Sequence, residues 1–170
     1  MMMTPLHWVH GPWNGRLAIS ARPRGGDWLA DEIAAWREAG VDSILSHLSR
    51  EEETDLDLEE ERRLALASGI KFHSFPVPDR EPPGSAAEAA GIYEQIGQEM
   101  NGGATVLVHC RQGIGRAALT AICLLILRGI SVDEAIRIVS EARGVSVPET
   151  EEQRQWIERF AARLLNASAA

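Results

Sequence analysis

The stretch His109-Cys110-Arg111-Gln112-Gly113-Ile114-Gly115-Arg116 holds residue types suited to chemistry on an anion. It follows a continuous apolar run, Thr105-Val106-Leu107-Val108, and precedes an apolar segment that starts near Arg116. It therefore reads as the turn between a buried strand and a helix. The first turn of a helix leaves backbone N–H groups unpaired and carries the positive end of the helix dipole, so it attracts anions. Gly113 and Gly115 allow the backbone to curl until successive N–H groups converge on a space of phosphate size. Ile114 between them and Arg111 and Gln112 before them complete the wall and rim. Arg116 adds a planar fork matched to two phosphate oxygens. Thiols in such surroundings titrate well below the ~8.5 of a free cysteine. Cys110 is accordingly expected to be a thiolate nucleophile facing bound phosphorus. Read instead as a small buried hydrophobe at a strand end, it would leave the two glycines and Arg116 without a purpose.

Positioning such a loop requires a layered α/β frame. Leu17–Ser20 predicts a short strand after the Asn14-Gly15 turn. Asp27 predicts a cap for a helix through Leu29, Ile33 and Trp36, ended by Gly40. Val41–Leu48 predicts a strand, and an acidic loop, Glu51–Asp57, then leads to a helix over Glu59–Ala67. Ile70–Phe75 alternates as a strand and stops at Pro76. A Pro-rich loop, 76–83, precedes a helix from Ser85 to about Met100, before the strand Thr105–Val108 and the helix Arg116–Leu127. Ser131 caps a helix over Val132–Ala142, and Pro148 and Thr150 open a last one over Glu151–Leu165. The Ala-rich tail, about 166–170, is expected to fray.

At 170 residues the chain is expected to form one domain, 1–170, large enough to need no disulfide or metal staple. Hydrophobic residues make up 45% and charged residues 25%, the balance of a soluble globular protein. A net charge of −8 argues against nonspecific nucleic-acid binding or docking on an anionic membrane. Only two cysteines are present, Cys110 and Cys123, and no His or Cys spacing suggests a metal site. Sparse cysteine, no apolar run of membrane length and no secretory signal lead to the expectation of a cytoplasmic protein.

His-Cys, five residues and Arg, in a strand–loop–helix setting, resemble the signature of the cysteine-dependent protein tyrosine phosphatases. Phe72 to Phe160 resembles their dual-specificity branch, closest to the cyclin-dependent-kinase-associated type. The resemblance implies a central, mostly parallel sheet flanked by helices. It implies hydrolysis of phosphotyrosine, and of phosphoserine or phosphothreonine, in a protein or peptide partner, through a cysteinyl-phosphate and without cofactor or metal. Asp79, about thirty positions before Cys110, matches the general acid of a mobile loop, with Glu81 a local rival and Asp55 and Asp57 remoter ones. Gln153 matches a water-positioning glutamine, though a helix-surface glutamine would look the same. His109 is implied to orient the Cys110 backbone through a ring hydrogen bond. The sequence departs from the family at Ala117, where Ser or Thr usually bonds the thiolate; Thr120 does not replace that hydroxyl.

Four other readings compete. Gly113-x-Gly115-x-x-Ala118 with Asp133 fits a dinucleotide fingerprint, but the segment after the helix is too short for the strand a Rossmann unit needs. A sulfurtransferase loop usually closes after four residues rather than five. Ala117 suggests a phosphate-binding pseudophosphatase, and Arg111 leaves phosphoinositides or other small phosphates open as substrates.

Overall fold

Five strands form one sheet in the order β1-β2-β5-β3-β4: His7–Val9, Arg16–Ser20, Thr105–His109, Ser43–Ser46 and Lys71–Ser74. The computed structural model describes residues 3–169. All neighbours pair in parallel except β1, which runs antiparallel to β2 along one edge. The helices are α1 (Leu29–Glu38), α2 (Arg50–Asp55), α3 (Glu61–Ala67), α4 (Ala86–Asn101), α5 (Arg116–Leu127), α6 (Val132–Arg143) and α7 (Glu151–Ala169). None of them is long and apolar enough to cross a membrane.

Strand alternation builds the layers, because successive side chains leave a strand on opposite faces. Leu17, Ile19, Leu45, Val106 and Val108 pack with α4 to α7, while Ala18, Ile44 and Leu107 pack with α1 and α3. The result is a helix–sheet–helix sandwich. β5 lies between β2 and β3 and is buried along its length, as its continuous apolar run requires. α5 is equally enclosed: every residue from Arg116 to Ile126 is buried. In a parallel sheet, ligands bind beyond the carboxyl ends of the strands. The loop after β5 therefore opens at the middle of that edge.

Several boundaries differ from the sequence expectations. β1 is an added strand; three residues are too few to show a period. The strand expected over Val41–Leu48 is shorter, Ser43–Ser46, flanked by Asp42, whose carboxylate takes the N–H of Thr105, and by His47, whose carbonyl also accepts from Arg116. Asp27 does not cap α1 but sits in a 3-10 turn, Gly26–Trp28, that leads into it without a side-chain cap. The acidic segment is not a loop: Arg50–Asp55 is helical, and the next helix starts at Glu61 rather than Glu59. α7 runs to Ala169, through most of the tail expected to fray, since its alanines favour helix, and Ala170 lies outside the described residues.

Candidate active site

The end of β5 places Cys110 at the floor of a cavity of about 210 Å³, walled by Arg111, Gln112, Gly115, Arg116 and the Asp79-Arg80 turn. Cys110 is 2% exposed. Its Sγ receives the backbone N–H of Gly113 at 3.3 Å and of Ala117 at 3.4 Å. Those donors converge because Gly113 takes φ +75°, a left-handed conformation, and a Cβ there would stand 2.7 Å from the carbonyl carbon of Ser20. Glycine is thus required twice at this position, for the turn and for its approach to the end of β2. The loop runs through Gly115 directly into α5, so the unpaired N–H groups of that helix face the same cavity.

Arg116 is buried, and its guanidinium is held from several sides. Nη1 donates to Glu52 Oε1 at 2.7 Å and to the carbonyls of Val77 and His47 at 2.8 and 3.2 Å. Nη2 donates to Glu52 Oε2 at 2.9 Å and to Asp79 Oδ1 at 3.0 Å. Burial opposes the charge on both partners, but the bidentate bonds outweigh it: the Glu52 carboxyl is held below the usual range and Arg116 above its own. Nε of Arg116 makes no bond among the described residues, so Nε–H, with Nη2–H once Asp79 moves, offers one edge of the fork to a ligand.

Glu52 was not singled out in the sequence, where it belonged to the solvated acidic segment. A signal for it exists. Ser49 and Glu52 have the S-x-x-E spacing of a capping box, and the structure shows both of its bonds. Ser49 Oγ accepts from the Glu52 N–H at 3.2 Å, and Glu52 Oε1 accepts from the Ser49 N–H at 3.1 Å. One carboxylate thus caps α2 and aims Arg116. Arg111, partly exposed at the rim, lies 3.6 Å from Glu52 Oε2, and Gln112 is exposed. Ile114 is half-buried and packs against the core.

Two histidines support the floor. The ring of His109 faces Glu61 Oε1 at 2.6 Å through Nε2, with both groups buried. Its bond thus goes to α3 rather than to the Cys110 backbone, and its Nδ1 has no partner among the described residues. His47, after β3, bonds the Phe75 carbonyl at 2.8 Å and the Thr120 hydroxyl at 2.7 Å. Complete burial pushes its pKa down to about 4. Thr120 is therefore committed to His47, so the hydroxyl missing at Ala117 is not supplied from there.

Asp79 reaches the cavity from the loop after β4 and is exposed. Glu81, its rival, is exposed and does not line the cavity. Asp55 and Asp57, the remoter candidates, do not line the cavity. Gln153 is fully buried beside Gly115, where an added Cβ would stand 3.0 Å from its Nε2. Its Oε1 accepts from the Thr150 N–H at 3.1 Å and its Nε2 donates to the Glu81 carbonyl at 3.3 Å. The structure thus brings Cys110, Arg116, Asp79 and Gln153 around one loop.

Residues 44–161 match the family model described as dual specificity phosphatase, catalytic domain. The chain is 33% identical over 96 residues to rat cyclin-dependent kinase inhibitor 3, covering 54% of this chain and 44% of that protein. It is 27% identical over 126 residues to the human protein of that name, covering 73% and 59%. The chain thus spans about half the length of these relatives. A solved structure of kinase associated phosphatase, with its catalytic-site cysteine replaced by serine, shares the fold at TM-score 0.89 and 22% identity, over 97% of this chain and 98% of that one. Because the family model covers both the phosphate-sized loop and the element that carries Asp79, the chain belongs to the dual-specificity phosphatase family.

Proposed function

We propose that this chain hydrolyses phosphomonoesters of phosphotyrosine, and of phosphoserine and phosphothreonine, in protein or peptide substrates. One observation carries the reading: a cysteine sulfur bonded by a loop N–H and by one from the first turn of α5 shares a cavity of about 210 Å³ with a buried guanidinium and a carboxylate. Phosphate entering that cavity takes the open edge of the Arg116 fork and displaces Asp79 from Nη2. Loop N–H groups bind the remaining oxygens, whose charge they stabilise as it builds. Cys110 Sγ then forms a bond to phosphorus as the P–O bond to the leaving group breaks, and protonated Asp79 gives its proton to the departing oxygen. Water attacks the thiophosphate next, Asp79 takes a proton from it, and Cys110 leaves as thiolate. Gln153 holds that water once its Nε2 exchanges the Glu81 carbonyl for it, a role supported by its burial beside Gly115. Glu52 keeps Arg116 aimed throughout. A nucleophilic cysteine must stay reduced, which fits a cytoplasmic protein.

The test compares wild type with Cys110→Ser on phosphotyrosine, phosphothreonine and phosphoinositide substrates. The expected result is hydrolysis of the peptides by wild type alone, with a 10⁴-fold or greater loss on the order of that seen when a covalent nucleophile is removed. Retained activity in Cys110→Ser, or binding without turnover by wild type, overturns the reading. Faster turnover of phosphoinositides than of peptides would reassign the substrate.

A further inference from the structure

The ion pair between Asp79 and Arg116 cannot position the general acid during catalysis, because a bound phosphate takes Arg116 for itself. Something else must hold the loop. Asp79 and Arg80 are the central residues of a turn closed by the Glu81 N–H on the Pro78 carbonyl at 3.1 Å. Arg80 takes φ +65° there, a conformation that turns normally assign to Gly or Asn. A strained backbone of this kind persists only where its surroundings over-determine it. The surroundings are specific: Arg80 Nη1 meets Glu149 Oε1 at 2.6 Å, the Arg80 carbonyl accepts from Thr150 Oγ1 at 3.4 Å, and the Glu81 carbonyl accepts from Gln153. Glu149 stands at the wall of the phosphate cavity, and a Cβ on Gly115 would lie 3.1 Å from its Oε2. Arg80 also offsets a carboxylate that would otherwise repel a phosphate.

We propose that Arg80 and Glu149 form a clasp that fixes the turn carrying Asp79 over the cavity, which makes both of them positioning residues for leaving-group protonation. The proposal rests on Asp79 being the general acid. None of the clasp bonds involves the Arg116 fork, so the clasp survives substrate entry, when the Asp79–Arg116 pair does not. Arginine occupies a glycine position because its side chain reaches the partner across the cavity mouth.

The readout is leaving-group dependence, which loss of fold does not imitate. Phenyl phosphate needs its leaving oxygen protonated; dinitrophenyl phosphate hardly does. For each variant, kcat/KM is measured on both. Arg80→Ala keeps a Cβ at the same positive φ and removes the rest of the side chain with its guanidinium, and Glu149→Gln removes the charge while keeping the shape. Both are expected to lose about ten-fold or more on phenyl phosphate and less than about three-fold on dinitrophenyl phosphate, a share of the roughly 10²–10⁴-fold effect of a positioned acid. Arg80→Lys, which keeps a cation facing Glu149, is expected to restore most of the loss. Asp79→Asn is the benchmark and is expected to show the same selectivity more strongly. If Asp79→Asn is selective while the clasp variants slow both substrates equally, slow neither, or are not rescued by lysine, the clasp is overturned and the acid assignment stands. If Asp79→Asn is not selective, both fall.

Discussion

At Cys110 the sulfur is supported by two backbone N–H groups and, among the described residues, by no side-chain hydroxyl. A hydrogen bond to a charged group contributes about 1.5–3 kcal/mol, and about 1.4 kcal/mol is ten-fold in rate. Breakdown of the thiophosphate, in which sulfur leaves as an anion, is where a hydroxyl at position 117 would act. Ala117→Ser is therefore expected to raise the rate of that step about ten-fold and to shrink the pre-steady-state burst of an aryl phosphate. Burst and turnover unchanged across pH would show that the two N–H donors already suffice. Ala117 is buried, but serine adds only one oxygen. Cys110 and Arg116 were legible in the sequence because their chemistry is written in one contiguous loop. Glu52 was not, since what gives it meaning is Arg116, sixty-four positions away in the chain. His47 and Glu61 escaped for the same reason: a buried polar residue is identified by its partner, and the partners lie on other elements.

At the scale of elements, the short helix α2 depends on its cap. A helix of this length has little stability of its own, so the reciprocal Ser49–Glu52 bonds hold the carboxylate where Arg116 needs it. Ser49→Ala is expected to cost about 1 kcal/mol in chemical denaturation and to lower kcat/KM, while Ser49→Thr restores both. Loss of stability with unchanged kcat/KM would separate the cap from the aim of Arg116. Glu52→Gln removes the charge and leaves the guanidinium without its bidentate partner. It is expected to cost about 3 kcal/mol or more, in the range for breaking a buried pair, with an accompanying loss of phosphate affinity. Unchanged vanadate inhibition would count against the aiming role. Elements with a long period, such as α4, α5 and α6, were legible to within a residue or so of their ends, because one apolar face repeats over several turns. β1 and α2 were not: three residues of strand show no alternation, and α2 carries charges on most positions, so its one buried residue looks like the others.

At the scale of the whole molecule, His47 ties three parts together, because it follows β3, bonds the Phe75 carbonyl beyond β4, and reaches Thr120 in α5. Global unfolding must break all of these at once, so the state of the imidazole enters overall stability. Its folded pKa lies at about 4, against an ordinary 6.5, because burial disfavours the cation. Between those values the unfolded chain binds a proton that the native one refuses, so stability falls as pH falls through this window. The full window of 2.5 pH units corresponds to about 3 kcal/mol, at roughly 1.4 kcal/mol per unit. Carboxylates such as Glu52, which Arg116 holds low against the upward pull of burial, add their own loss only further down, below the ordinary carboxylate range. Burial also holds the His7 imidazole below its ordinary value and the Glu53 carboxyl above its own, so the His47 imidazole is read as the difference between wild type and His47→Gln in urea unfolding between pH 7 and 5. Wild type is expected to lose about 2 kcal/mol more over that interval than His47→Gln, which is itself less stable at pH 7. Equal slopes in the two proteins would mean that the native imidazole accepts its proton as readily as the unfolded one, and the link from β3 to α5 would then play no part in acid unfolding.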